Sequence, residues 1–173
     1  MATAMALLKL PPRCLSTAQG IWRWQGWKKP SPLREAYPDA PLFELGYTPD
    51  RLLETAVEQP VTLTIFTTHQ AQLLSDAAKK RGGKAKVYLK VETGFNRLGT
   101  DDPDELRAIL CIPYLDVEGI YSHPALKDRP SDEIQLKKFL QMVEALEAKG
   151  IISATATLRT ASARWIIPTS GWI

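Results

Sequence analysis

Between residues 42 and 150 the chain switches between two hydrophobic periods. Residues 42–46, 61–66, 86–91 and 115–121 are apolar, β-branched runs of strand length. The segments between them place apolar side chains three and four positions apart. Ala71, Leu74, Ala77 and Ala78 form one such stripe; Leu136, Phe139, Leu140, Val143 and Leu146 form another. Helix boundaries are signalled as well. Thr48 or Asp50 can cap a helix through about residue 58, with Pro49 in its first turn. Thr68 is the expected cap of the next helix, which stops at Gly82-Gly83. A helix is expected from about residue 103 to 110, and Ser131 with Glu133 opens a long one stopped by Gly150. Strand and helix alternate four times. That order predicts an α/β fold with a parallel sheet and right-handed crossovers.

The chain is organised around residues 86–99. They begin as an alternating strand and end in a turn carrying Gly94, Asn96 and Gly99, residue types suited to turn dihedrals. Lys90, Glu92 and Arg97 therefore sit at or just past the C-terminal end of a strand, where chemistry collects in parallel α/β proteins. Lys90-Val91-Glu92-Thr93-Gly94-Phe95-Asn96-Arg97-Leu98-Gly99 resembles the K-[ILV]-D-T-G-M-x-R-[LI]-G stretch of alanine racemases, with Glu92 for the usual Asp and Phe95 for the usual Met. Three more blocks follow the family's order. They are Leu33-Arg34-Glu35-Ala36 through Pro41 to Thr48, Val117-Glu118-Gly119-Ile120-Tyr121-Ser122-His123, and Gln135-Leu136-Lys137-Lys138-Phe139. The resemblance implies a partial (β/α)8 TIM-type barrel, the N-terminal domain of that family, over residues 31–154. At 173 residues the chain is shorter than the roughly 250 typical of a closed barrel.

Composition separates the middle from the ends. All nineteen Asp and Glu lie between Glu35 and Glu147, and all five Trp lie outside that span. Residues 1–30 and 155–173 are basic, Trp-rich and unlike the family as written. Pro11-Pro12 break the helical pattern of the first fifteen residues, which argues against a targeting peptide. Read two bases later, residues 1–10 permit Gly-Tyr-Gly-His-Gly, close to the run that follows the cofactor lysine in alanine racemases. Residues 16–30 permit Leu-Ala-Val-Ala and Glu-Glu-Ala, and residues 155–172 permit His-Ala-Ala-Asn-Ser. The hypothesis is that both flanks are frame-shifted translation, and resequencing the gene tests it. As written, the stretch around Ser162 only echoes the family's phosphate-binding Asn-Ser pair and receives no role. Two cysteines, Cys14 and Cys111, make neither a disulfide framework nor a metal site. No apolar run approaches the roughly 20 residues of a membrane helix. No metal, membrane or nucleic-acid partner is expected.

The resemblance also implies the chemistry. Alanine racemases are cytoplasmic homodimers that use pyridoxal 5′-phosphate (PLP) to interconvert L- and D-alanine for cell-wall synthesis. Arg97 matches the arginine that hydrogen-bonds the cofactor's phenolic oxygen, and His123 the histidine beside its pyridine ring. Lys90 matches a lysine that is carbamylated in some members and positions that arginine. Glu92 is expected to be a local hydrogen-bond partner. His69 and the Lys79-Lys80-Arg81 run read as solvated helix surface. The family's cofactor lysine would precede Met1 and its catalytic tyrosine would follow Ile173, so this polypeptide alone is expected to have little or no racemase activity. Serine and broader amino-acid racemases share these motifs. The competing expectation is an inactive fragment or pseudogene product; a free-standing PLP-binding barrel fits the 90–99 motif less well. A lysine–PLP absorbance fixed by a reducing agent separates these readings.

Overall fold

A computed structural model describes residues 42–125 and 127–147, together with the backbone of four strands outside them. In chain order the elements are β1 (Leu15–Ser16), β2 (Trp22–Trp24), β3 (Leu42–Glu44), α1 (Asp50–Ala56), β4 (Val61–Ile65), α2 (Thr68–Lys80), β5 (Ala85–Val91), α3 (Pro103–Leu110), β6 (Leu115–Ser122), α4 (Arg129–Glu147), β7 (Ala156–Arg159) and β8 (Arg164–Ile166). The strands form one sheet in sequence order. Neighbours from β2 to β7 pair parallel; β1 and β8 pair antiparallel to their neighbours. This is the expected α/β architecture, a partial barrel. The expected stop at Gly150, the first similarity block up to Pro41 and the stretch around Ser162 lie outside the described residues.

Alternation along the strands sorts side chains onto two faces. Val61, Leu63, Ile65, Val87, Leu89, Val91 and Ile120 are buried against Leu53, Ala71, Leu74, Leu106, Ile109, Phe139, Val143 and Leu146 of the four helices. The opposite face carries Phe43, Tyr88 and Tyr121, whose ring centroids lie 4.8–6.3 Å apart. β5 and β6 slip register between Val87 and Tyr88, leaving Glu118 as the extra residue. Its carboxylate accepts from Thr62 Oγ1 at 2.9 Å and Lys86 Nζ at 2.6 Å. Among the described residues no helix is long and apolar enough to cross a membrane.

Three helix starts differ from expectation. α1 has no side-chain cap: its N-cap is Pro49, and Asp50 instead engages His69 Nε2 at 2.8 Å and Tyr47 Oη at 3.1 Å. α2 is capped by Thr67, which is extended at φ −133° and ψ 146° and whose Oγ1 accepts from Gln70 N at 3.2 Å; Thr68 N, in the first turn, donates to Glu105 of α3 at 2.6 Å. α4 opens at Arg129, before Ser131, because Asp128 Oδ1 accepts from Ser131 N at 2.8 Å. The end of α2 is as expected. Gly82, at φ 70°, reverses the chain so that Gly83 N reaches Ala78 O at 3.1 Å. His69 is exposed on α2, and Lys80 and Arg81 face Glu54 and Glu58 across solvent.

Candidate functional site

The turn after β5 is built around one carboxylate. Glu92 Oε1 accepts from Gly94 N and Phe95 N, both at 2.6 Å, and Oε2 from Arg97 N at 3.1 Å. Burial alone would raise this carboxyl, but the converging backbone N–H groups outweigh it and hold the group below its ordinary range. The extra methylene of Glu over Asp still lets the carboxylate reach these donors. The turn closes where Glu92 N meets Thr100 O at 2.9 Å and Thr100 N meets Lys90 O at 3.1 Å. Gly99 is required there: at φ 120°, a Cβ would stand 2.8 Å from Glu92 N. Asn96 takes the left-handed conformation at φ 56°, which asparagine tolerates.

A buried hydroxyl pair ties this turn to the end of β6. Ser122 Oγ donates to Val91 O at 2.9 Å, so the 2.8 Å contact with Thr93 uses the Thr93 proton. α4 contributes Gln135, whose Oε1 accepts from Ala125 N at 2.9 Å and fixes the loop after His123. The turn thereby sets Phe95 edge-on to the His123 ring at 5.1 Å, with the Arg97 guanidinium 4.4 Å from the Phe95 ring centre.

Lys90 lies beneath. It is only 4% exposed, and its Nζ sits 4.7 Å from the centre of the Tyr121 ring. Burial, then the nearby Arg97 charge, lower its pKa to about 8, against a weaker opposing pull from Glu92. Tyr121 is buried too, which pushes its phenol well above the ordinary range and keeps it protonated. Thr64 Oγ1 donates to Glu44 O at 2.7 Å, so the Tyr121 proton serves Thr64 Oγ1 at 2.8 Å and Leu45 O at 3.2 Å.

Lys90, Arg97 and His123 line one cavity of about 210 Å³ with Leu45 and Leu98. Glu92 stands behind it, holding the turn. Sequence reasoning did not single out Tyr121, Leu45 or Leu98 for this site. Tyr121 was findable, since it lies two positions before His123 on the same strand face; the leucines carry no chemical signal.

The chain matches the family model described as "Alanine racemase, N-terminal domain" over residues 14–166. It belongs to the alanine racemase family. The match begins and ends inside the two flanks that read as unlike the family. An alanine racemase of Desulforamulus reducens is 38% identical over 126 residues, covering 69% of this chain and 34% of that protein. The solved alanine racemase of Clostridium difficile 630 superposes with a TM-score of 0.68 at 26% identity, over 75% of this chain and 37% of that one. The Bacillus anthracis alanine racemase, solved with bound L-Ala-P, gives 0.64 at 26% identity, over 76% and 36%. The chain thus spans about a third of the length of such relatives.

The side chains around the cavity suit the family's cofactor. PLP is an anionic aromatic aldehyde. The cavity offers a permanent cation in Arg97, a flat ring in His123, apolar walls in Leu45 and Leu98, and an amine in Lys90.

Proposed function

We propose that this domain holds PLP for an alanine racemase, a cytoplasmic, homodimeric enzyme interconverting L- and D-alanine for peptidoglycan synthesis. The convergence of Lys90, Arg97 and His123 on one cavity at the strand ends carries the reading. When bound, the cofactor supplies an electron sink for the substrate's α-carbon. Arg97, its guanidinium steadied on Phe95, would donate to the cofactor's phenolic oxygen. His123, its ring held by Phe95 and by the Gln135-braced loop, would serve the pyridine ring. Lys90 and Glu92 place Arg97, one from beneath and one through its backbone. Leu45 and Leu98 give the cavity apolar walls.

A second reading is that this polypeptide has no enzymatic function by itself. Equilibrium dialysis of the full chain against pyridoxine 5′-phosphate tests the cofactor site. Saturable binding is expected, weakened about tenfold or more by Arg97→Met through loss of a charge-assisted hydrogen bond. Binding that does not saturate, or that ignores Arg97, sinks the proposal. Polarimetry with L-alanine and saturating PLP separates the two readings: racemisation supports the enzyme, and none supports the second.

A further inference from the structure

We propose that Lys90 is itself a nucleophilic amine, able to capture an anionic aldehyde that enters the cavity between Arg97 and His123. The inference rests on the cavity being a PLP site, but concerns a different lysine from the family's cofactor lysine. Lysines are rarely buried unless paired, and Lys90 is 4% exposed. Among the described residues no carboxylate forms an ion pair with it. The Glu92 carboxylate is held by backbone N–H groups instead. Lys90 Nζ rests on the Tyr121 ring face and shares the cavity with Arg97.

Desolvation and a neighbouring cation are the two means of turning a lysine ammonium into a free amine, and both act here. The same strand face carries a built-in contrast. Lys86, four positions earlier, is largely exposed and paired with Glu118 at 2.6 Å, which holds it charged.

The step needs no further reactant. The neutral Lys90 amine attacks the aldehyde carbon, forming a C–N bond as the C=O π bond opens. The two amine protons leave with the carbonyl oxygen as water, and a C=N bond remains. Arg97 pairs with the anionic group throughout.

The test incubates the full chain with PLP near pH 8 in bicarbonate-free buffer, since carbon dioxide competes for a neutral amine. Borohydride then fixes any C=N bond, and peptide mapping by mass spectrometry locates it. Label on Lys90 should exceed that on Lys86 or any other lysine by about tenfold or more, because each pKa unit changes the neutral fraction about tenfold. Prior pyridoxine 5′-phosphate, which has no aldehyde, should block the label. Unfolding the chain in urea should erase the preference without any substitution. An even spread of label while pyridoxine 5′-phosphate still binds saturably overturns this inference and leaves the cavity reading standing. An even spread without saturable binding overturns both.

Discussion

The two faces of the same strands do opposite work. On β4 and β5 the helix-facing positions are Val61, Leu63 and Ile65, then Ala85, Val87, Leu89 and Val91, all buried. The intervening positions are Thr62 and Thr64, then Lys86, Tyr88 and Lys90. Parallel strands covered on both sides usually read as continuous apolar runs. The alternation in β5 shows that its second face serves something other than packing. Four polar side chains on that face have specific neighbours: Thr62 and Lys86 meet Glu118, Thr64 meets Tyr121, and Lys90 lies on Tyr121. One face carries the fold's stability; the other holds chemical groups in place, in one case against stability.

The largest effect should come from the first face. Leu89→Ala removes a fully buried side chain from the centre of β5 and should destabilise the chain by about 2–5 kcal/mol, read by urea denaturation. The next residue on the same strand should respond in the opposite sense. Lys90→Met replaces a buried, unpaired amine with an apolar chain of similar length and should stabilise by about 1–2 kcal/mol at neutral pH, after allowing for the lost contact with the Tyr121 ring. The sign follows from linkage. The folded-state pKa of about 8 lies below the ordinary value, so the unfolded chain binds more protons between the two values and wild-type stability rises with pH across that window. The gap between variant and wild type should therefore shrink from about pH 8 upward. Thermal melts from pH 7 to pH 11 measure it, and a Lys90→Met variant less stable at pH 7 would count against the division of faces.

Glu92→Gln probes the border between the faces, with an expected loss of about 1–2 kcal/mol at pH 7, because the amide oxygen can still accept from Gly94 N and Phe95 N without charge, while the amide nitrogen cannot accept from Arg97 N. The Glu92 carboxyl is depressed in the fold, so its contribution is full above its ordinary value of about 4.3 and fades as pH falls through the lower folded value. Denaturation midpoints of variant and wild type should converge in acid. A gap that persists below the folded value means the charge was not what the turn used.

Much of the fold could be read from spacing, because periods of two and of three to four persist from residue 42 onward. The helix starts were harder. Thr67 and Thr68 are chemically identical candidates, and what separates them is backbone conformation: Thr67 is extended and caps Gln70 N, while Thr68 is already helical and its N–H donates to Glu105, 37 positions away. Asp50 is a good capping residue drawn off by His69 and Tyr47, two partners that local sequence does not bring together. Lys90, Glu92, Arg97 and His123 could be named from motifs, since motifs carry residue type and spacing. The contacts of Phe95, with Arg97 over its ring and His123 edge-on, could not, because they depend on the tertiary register of two separate strand ends.

The smallest effect falls on the polar face and isolates a single proton. Tyr121→Phe keeps the ring beneath Lys90 and the aromatic contacts with Phe43 and Tyr88, and removes only the hydroxyl. No donor is orphaned, because Thr64 Oγ1 already donates to Glu44 O, and Leu45 O loses only a long 3.2 Å contact. The expected cost is about 0.5–1.5 kcal/mol by denaturation. It should not vary with pH across the physiological range, since burial keeps this phenol protonated there. Reductive labelling of Lys90 should be unchanged, because desolvation and Arg97 set its reactivity and neither depends on the hydroxyl. A large loss of label in Tyr121→Phe would instead place the hydroxyl in the path of the Lys90 proton, joining the two tiers of that face into one network.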